Sequence, residues 1–190
     1  MYPGLSWWIE GFWIAFLAIW LLAAIRTKRV VRRQSGRSRF LQGGLAAAGA
    51  ILLFEPGMNI GFLGLRIVPD TARFTYAGVV LTGAGIAFAV WARFVLGQNW
   101  SGRVTVKQNH ELIRRGPYAL VRHPIYSGLL LALLGTAGYL GEVRGFIAVA
   151  LIAISFSLKY RTEETFMLEQ FGVQYRDYRR HVKALIPHIL

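Results

Sequence analysis

The sequence predicts an all-α, polytopic membrane protein with about five transmembrane helices, and three observations lead to this fold class. Hydrophobic residues make up 55% of the 190-residue chain and charged residues only 16%, whereas a soluble domain has about 25% charged residues. A globule this small cannot bury so large an apolar fraction. The apolar residues also gather in stretches that can cross a bilayer, and the loops between these stretches alternate in charge.

Composition also excludes several function classes. The chain has no cysteine, which excludes a disulfide framework, a thiolate nucleophile and a cysteine-ligated metal. Its high hydrophobicity excludes a disordered chain. A net charge of +13 would suggest nucleic acid in a soluble protein. Here the basic residues are spread over several loops rather than over one face, so we do not expect nucleic-acid binding.

The first two candidate spans lie in the N-terminal third of the chain. Residues 6–25 carry one charge, Glu10, and have tryptophans near one end that suit a membrane interface. No basic segment precedes this stretch and no small-residue cleavage site follows it, so we expect a retained helix rather than a signal peptide. Residues 40–65 are apolar but contain Glu55-Pro56-Gly57, where the helix should end or kink.

The other three candidate spans are separated by short polar segments. Residues 74–92 contain no charged residue and match the length of a span. Residues 125–141 and 145–158 flank a break at Glu142 and Arg144, which predicts a tight helical hairpin. The last stretch has only 14 residues, so four spans are the main alternative to five.

The charge of the loops predicts the orientation of the chain. Residues 26–39 carry seven basic residues and no acid, and residues 97–123 carry five basic residues and one acid. Between them, residues 55–73 carry two charges of each sign, and the hairpin tip carries one of each. Basic loops lie on the cytoplasmic side. We therefore expect the N-terminus outside and the C-terminus, with its six basic and four acidic residues from Lys159 onwards, in the cytoplasm.

The first polar motif with chemical potential precedes the fourth apolar stretch. Gly116-Pro117-Tyr118 predicts a turn, and Pro124 suits the first position of a helix. The N–H groups at that helix start could hold an anionic group such as a carboxylate. Tyr118, His123 and Tyr126 are close enough in sequence to line one pocket. The alternative is a simple helix cap with an interfacial histidine and tyrosines.

The second polar motif follows the last apolar stretch. Charged side chains at a membrane boundary usually extend into water. The functional alternative is that Arg161 binds a substrate carboxylate as a bidentate pair, with Glu163 or Glu164 fixing it or binding a second group. Farther on, spacings of three and four residues predict an amphipathic helix that lies on the inner leaflet or covers the site as a lid, with a possible interruption at Gly172. Its apolar face contains Leu168, Phe171, Tyr175, Tyr178 and Val182.

Taken in order, these motifs resemble the isoprenylcysteine carboxyl methyltransferase family. The resemblance rests on Arg-His-Pro-x-Tyr-x-Gly at residues 122–128, on Arg-Thr-Glu-Glu at residues 161–164, and on Phe-Gly-x-x-Tyr-x-x-Tyr at residues 171–178. The Gly97-Gln-Asn-Trp loop and His110-x-Leu112 are also similar to that family. The resemblance covers roughly residues 95–187. The first 90 residues are hydrophobic but contain no motif of this family.

The resemblance implies an integral membrane methyltransferase that uses S-adenosylmethionine and releases S-adenosylhomocysteine. It implies one membrane domain over residues 1–190, with N-terminal spans in residues 1–95 and the cofactor-binding and catalytic half in residues 96–190. Arg161 and Glu164 would face the substrate, with Glu163 beside them. The cofactor would be bound without a Rossmann sheet, by the cytosolic loop and the C-terminal segment. Its expected contacts are Gln108, His110, Leu112, Tyr118, His123, Pro124 and Tyr126.

A carboxylate acceptor suits this set of residues, because it is already ionised at neutral pH and needs no general base. The expected partners are membrane lipids and a lipophilic or prenylated acceptor, and the oligomeric state is open. No metal site is expected, since the four histidines lack ligand spacing. Three alternatives remain: a lipid amine N-methyltransferase with Glu163 or Glu164 as the base, an NADPH-dependent membrane reductase of related fold, and a membrane scaffold without catalytic activity.

Overall fold

The computed structural model describes residues 5–24, 30–33, 36–97, 105–107 and 112–189 of the chain. Within these residues, the α-helices are α1 (Ser6–Ala24), α2 (Gly36–Phe54), α3 (Ala72–Leu96), α4 (Pro117–Leu120), α5 (Pro124–Leu140), α6 (Val143–Phe171) and α7 (Val173–His181). Two short 3-10 helices, Pro56–Met58 and Gly61–Gly64, connect α2 to α3. Strands β1 (Val30–Arg33) and β2 (Thr105–Lys107) pair as an antiparallel ribbon.

The helical, integral membrane fold is confirmed. Among the described helices, α1, α3 and α6 are long and apolar enough to cross a membrane. The apolar parts of α2 and α5 have 17 residues each, which is shorter than the about 20 residues that a full span requires. Five helices therefore match the five predicted stretches, but only three of them reach the length of a span. The small β1–β2 ribbon, which links two loops, was not predicted.

The end of α6 differs most from the predicted boundaries. We expected its apolar stretch to end at residue 158, yet the helix continues to Phe171. Residues 159–171 contain no proline or glycine and are rich in good helix formers, so nothing in this segment ends the helix. Gly172 then adopts φ +50°, which favours glycine, and separates α6 from α7. The charged motif of residues 161–164 thus lies on a rigid helix that extends beyond the apolar segment.

Glycines bring the backbones of α3 and α5 into direct contact. A Cβ atom at Gly85 would lie 2.5 Å from the carbonyl oxygen of Gly128 and 2.8 Å from the Cα of Ala132. One at Gly135 would lie 2.5 Å from the amide nitrogen of Thr82. Lipid gives no hydrophobic driving force for helix association, so such close packing holds membrane helices together.

A buried polar network adds α1 to this pair. The indole Nε1 of Trp13 donates to Oγ1 of Thr136 over 3.1 Å, and Oγ1 of Thr136 lies 3.2 Å from Oγ1 of Thr82. Both threonines are buried and also donate to carbonyl groups one turn earlier in their helices. The network satisfies hydroxyl groups that would otherwise be unpaired in an apolar interior.

A buried arginine links the C-terminal end of α2 to the α5–α6 hairpin. Arg144 donates from Nε to Oε2 of Glu142 over 2.6 Å. Its Nη1 donates to the carbonyl oxygens of Leu52 and Glu55, at 3.0 and 2.8 Å, which lie at the C-terminal end of α2. A cation is favourable there because the last carbonyls of a helix carry partial negative charge. Arg144 therefore fastens α2 to the hairpin.

The contact between α3 and α5 should be sensitive to one methyl group. We expect Gly85→Ala to lower the stability of the detergent-solubilised protein by about 1–3 kcal/mol, the usual cost of overpacking. Gly138→Ala in α5 is the matched control, because a Cβ atom there would meet no heavy atom within 4 Å. Thermal unfolding followed by tryptophan fluorescence measures both. Equal stability of the two variants would contradict the proposed backbone contact.

Candidate functional site

The candidate site is assembled where the chain turns into α5. Gly116 has φ +60° and precedes the one-turn helix α4, with Pro117 at its first position. His123 has φ −124° and ψ 60°, which is outside helical geometry, and Pro124 begins α5. The predicted turn and the predicted helix start are therefore both present. This backbone directs His123 and Tyr126 towards the part of α6 that carries residues 160–164.

The C-terminal residues Val182–Leu185, here named the C-terminal strap, pack along this helix start. Ala184 and Leu185 are buried in one cluster with Tyr126 and Tyr160. The strap is held by main-chain and side-chain hydrogen bonds to the start of α5: Arg122 N to Lys183 O (2.8 Å), His123 N to Ala184 O (3.0 Å) and Ser127 Oγ to Leu185 O (2.6 Å). The segment after α7 thus forms a wall of the site.

Aromatic rings of α5 and α6 surround His123. The imidazole lies 5.8 Å from the Tyr126 ring, with an interplanar angle of 22°, and 5.1 Å from the Tyr160 ring. Tyr126 in turn lies 4.8 Å from Phe156. The Nζ atom of Lys159 is 5.7 Å from the centre of the Tyr126 ring. A stack of aromatic faces of this kind can receive a cation.

Glu164 is the most heavily paired carboxylate of the site. Its Oε1 accepts from Nε and Nη2 of Arg122 at 2.7 and 2.6 Å, and lies 3.2 Å from Nε2 of His123. Its Oε2 lies 3.4 Å from Nε of Arg179 on α7. The side chains of Glu164 and Arg122 are only 8% and 9% exposed. A carboxylate buried to this extent needs such partners to remain ionised.

The neighbouring carboxylate, Glu163, is more accessible. Its Oε1 accepts a hydrogen bond of 2.6 Å from the Tyr126 hydroxyl, and its Oε2 lies 3.6 Å from Nδ1 of His123. Its side chain is 24% exposed. Both ring nitrogens of His123 therefore face a carboxylate, one on each of two successive residues of α6. Glu163 is therefore the carboxylate that a further donor can reach more easily, because Glu164 is more deeply buried and more heavily paired.

Buried tyrosines attach α7 to the same region. The Tyr178 hydroxyl donates to the carbonyl oxygen of Tyr118. Burial raises the pKa of Tyr178 to about 12, and it also raises the pKa values of Tyr118 and Tyr175. These phenols therefore stay neutral at physiological pH, and Tyr178 remains a donor. Arg114 adds a hydrogen bond of 2.6 Å from Nη2 to the carbonyl oxygen of Gln174.

Arg93 holds the ends of two membrane helices near this region. Its Nη2 donates to the carbonyl oxygen of Ala23 over 2.6 Å, and its Nη1 donates to that of Gly97 over 2.8 Å. These carbonyls belong to the C-terminal ends of α1 and α3, where a cation is stabilising. Its guanidinium carbon also lies 6.0 Å from the Trp20 ring. Arg93 therefore holds the C-terminal ends of α1 and α3 together.

The structure brings together part of the predicted set of site residues. His123, Tyr126, Glu163 and Glu164 form one cluster, with Pro124 at its base. Tyr118 lies next to it and is buried beneath α7. Leu112 is half-buried ahead of α4. Gln108 and His110, also predicted as cofactor contacts, lie outside the described residues.

Arg161 lies on the exposed side of α6. Its guanidinium has no partner among the residues that the structure describes, so it is available to a ligand but does not belong to the cluster. The arginine that pairs with Glu164 is instead Arg122, which we did not single out, although it stands beside His123 in the motif. Arg179, Tyr160 and the C-terminal strap were also missed as members of the site.

Comparisons with known proteins agree with this architecture. A family model described as phospholipid methyltransferase matches residues 74–174. A protein-S-isoprenylcysteine O-methyltransferase of Schizosaccharomyces pombe is 38% identical over 153 residues, covering 78% of this chain and 62% of that protein. A probable protein-S-isoprenylcysteine O-methyltransferase of Oryza sativa subsp. indica is 32% identical over 60% of this chain and 62% of that protein.

A solved structure shares the fold. It is that of a eukaryotic intramembrane Ras methyltransferase, an isoprenylcysteine carboxyl methyltransferase, with a TM-score of 0.52 and 25% sequence identity. The similarity covers 84% of this chain and 55% of that one. The chain therefore spans about three-fifths of the length of the curated relatives named here, and the resemblance seen in the sequence motifs is confirmed.

Removing the charge of Glu164 should destabilise the protein, because Arg122 and Arg179 would lose their shared countercharge. We expect Glu164→Gln to cost about 3–5 kcal/mol, the usual effect of breaking a buried ion pair. Glu163→Gln should cost less than about 1 kcal/mol, since an amide oxygen can still accept from Tyr126. Thermal unfolding of both variants is the measurement. A Glu164→Gln protein as stable as Glu163→Gln would contradict the structural role of Glu164.

Burial of the Tyr178 hydroxyl, which donates to the carbonyl oxygen of Tyr118, should make the stability of the protein depend on pH in the alkaline range. The pKa of Tyr178 is raised from 10.0 when unfolded to about 12 when folded, so its contribution is complete below pH 10 and is lost as the pH rises towards 12. We expect Tyr178→Phe to lower stability by about 1 kcal/mol at pH 8 and to lose less stability than the wild type above pH 10. Parallel stability curves of the two proteins from pH 8 to 12 would contradict this.

Proposed function

The chain belongs to the phospholipid methyltransferase family, and we propose that it transfers a methyl group from S-adenosylmethionine to the carboxylate of a lipophilic, isoprenylcysteine-like acceptor. The observation that carries the proposal is the cluster of His123, Tyr126 and Glu163 at the junction of apolar helices and polar loops. A site at this junction can receive a lipid-like tail from the bilayer and a water-soluble cofactor from the other side. The O-methyltransferases similar to this chain support the same reaction.

The side chains of the cluster fit S-adenosylmethionine in their chemistry. Its sulfonium and amino groups are cationic, and the site offers aromatic faces together with the partly exposed carboxylate of Glu163. We assign the amino group to Glu163 and the sulfonium to the faces of His123 and Tyr126. Tyr118 and Pro124 complete the wall, and Gln108, His110 and Leu112 are proposed as further contacts.

When bound, S-adenosylmethionine supplies a methyl group activated by a positively charged sulfur. The acceptor carboxylate forms the new O–CH₃ bond as the S–CH₃ bond breaks, which leaves an ester and a neutral thioether without any proton transfer. The reaction therefore requires alignment and exclusion of water rather than a general base. The α5 start, the rings of α6 and the C-terminal strap provide both, because they hold the side chains in a buried, packed wall.

Arg161 is proposed to bind the acceptor carboxylate. Its guanidinium is exposed on α6, two residues from Glu163, and its two parallel N–H groups match a carboxylate. Glu164 was predicted to face the substrate, but its oxygens are occupied by Arg122, His123 and Arg179. We therefore propose that Glu164 supports the site while Glu163 faces the ligands.

The proposed orientation follows from the basic loops. With residues 26–39 and 97–123 in the cytoplasm, the site faces the cytosolic leaflet, where S-adenosylmethionine is available, and the N-terminus lies outside. Anionic lipids of that leaflet are expected partners of the basic loops. A carboxylate acceptor is preferred over a lipid amine and over reduction by NADPH, because the similar proteins named above are O-methyltransferases.

Two substitutions should separate binding of the cofactor from binding of the acceptor. We expect His123→Ala to weaken S-adenosylhomocysteine binding by roughly tenfold or more, because one face of the aromatic stack is lost. Arg161→Ala should leave this affinity unchanged and lower kcat/KM for a free S-farnesylcysteine derivative by roughly tenfold or more, the usual effect of removing a charge-assisted hydrogen bond. Calorimetry in detergent measures the first quantity, and methyl transfer from labelled S-adenosylmethionine measures the second.

Arg176→Ala, on the exposed side of α7, serves as the control for removal of an arginine. Titration with NADPH tests the reductase alternative on the same sample. Full activity of Arg161→Ala would exclude the proposed acceptor contact. Saturable binding of NADPH, without binding of S-adenosylhomocysteine to the folded wild type, would overturn the proposed reaction.

A further inference from the structure

One guanidinium group connects three separate segments around the candidate site. Arg122 precedes α5, its Nε and Nη2 donate to Oε1 of Glu164 on α6, and its Nη1 donates to the carbonyl oxygen of Val182 in the C-terminal strap. Its backbone N–H donates to the carbonyl oxygen of Lys183. Arg122 therefore uses side chain and main chain together to hold the strap, while its charge is neutralised on α6.

The position of the strap matters because it touches the rings of the site. Ala184 and Leu185 pack against Tyr126 and Tyr160, and the amide of His123 donates to Ala184 O. If the strap moved away, Tyr126 would lose one of its packing neighbours and His123 would lose the hydrogen bond that fixes its backbone. The rings that face the proposed cofactor would then be free to change position.

The contacts of the Arg122 guanidinium with Glu164 and Val182 require an arginine at this position. A guanidinium is planar and presents donors in fixed directions, so it can hold a carboxylate on one edge and a carbonyl on another. The ammonium group of lysine is a single point of charge and would reach one of these partners at a time. Arg180, exposed on α7, has no such set of contacts among the described residues and provides a comparison.

We propose that Arg122 is a positioning residue, which docks the C-terminal strap on the start of α5 through Glu164 and thereby sets the positions of His123 and Tyr126. The effect on methyl transfer rests on the proposed function, whereas docking of the strap is a property of the protein alone. Neither the acceptor nor the cofactor is contacted by Arg122 in this proposal. Its role is to make the segment after α7 part of the site.

The absence of cysteine allows a direct test on the full chain. Ala184→Cys places a thiol in the buried strap, and Ser155→Cys places one in the buried contact of α6 with α2, where Ser155 donates to the carbonyl oxygen of Gln42. The rate of reaction with a small, membrane-permeant maleimide in detergent reports how often each thiol is exposed. Each cysteine is combined with Arg122→Gln, Arg122→Lys and Arg180→Gln.

Arg122→Gln breaks the ion pair with Glu164 and should lower global stability, so the comparison between the two cysteines is decisive. We expect labelling at residue 184 to accelerate by roughly tenfold or more beyond any acceleration at residue 155, the factor for losing one charge-assisted hydrogen bond. Arg122→Lys should give a smaller acceleration at residue 184 only. Arg180→Gln should change neither rate. Unchanged labelling at residue 184 in both Arg122 variants would overturn the proposal. Equal acceleration at both cysteines in both variants would make Arg122 a determinant of the whole fold and would also overturn the proposal.

Activity of the same proteins completes the test. If the wild-type protein methylates a free S-farnesylcysteine derivative, Arg122→Lys should lower kcat for this acceptor by roughly tenfold. The KM for the acceptor should change little, because the variant loses alignment of the site and no contact with the acceptor. A rise in KM with unchanged kcat would contradict a positioning role. If the folded wild type shows no methyl transfer, the proposed function fails, and the labelling rates still decide whether Arg122 docks the strap.

Discussion

The buried carboxylate of Glu164 is the constraint on which the C-terminal half of the structure depends. A carboxylate with an 8% exposed side chain stays ionised only if charged and hydrogen-bonding partners surround it, and these partners come from separate parts of the chain. Arg122 and His123 are contributed by the start of α5, and Arg179 is contributed by α7. Satisfying one carboxylate therefore determines where the loop, the last helix and the strap must lie relative to α6.

The membrane helices supply the rigid frame that makes this arrangement possible. Backbone contact between α3 and α5 at Gly85 and Gly135 fixes the position of α5, and Arg144 fastens α2 to the α5–α6 hairpin. The start of α5 and the extension of α6 beyond its apolar segment are thus held at a fixed separation. Side chains on such elements need little reordering to bind a ligand, which favours a reaction that depends on alignment.

The sequence was sufficient for the membrane class, the approximate helix positions and the residues of the cluster, because these depend on composition and on local motifs. It was not sufficient to choose between Arg161 and Arg122 as the partner of Glu164. Arg161 lies three residues earlier on the same helix, whereas Arg122 is 42 residues away in sequence and meets Glu164 only through tertiary packing. The β1–β2 ribbon and the docking of the strap depend in the same way on contacts between distant segments.

The two adjacent glutamates illustrate how position on a helix divides chemical roles. Successive residues of an α-helix point about 100° apart, so Glu163 and Glu164 meet different nitrogens of His123 and have different further partners. Glu164 faces inward to two arginines, and Glu163 faces Tyr126 with a side chain that is 24% exposed. Of the two carboxylates, Glu163 is the more accessible to a cationic ligand. In the proposed reaction, one carboxylate supports the structure and the other is open to the sulfonium cofactor, and an ionised acceptor needs neither glutamate as a base.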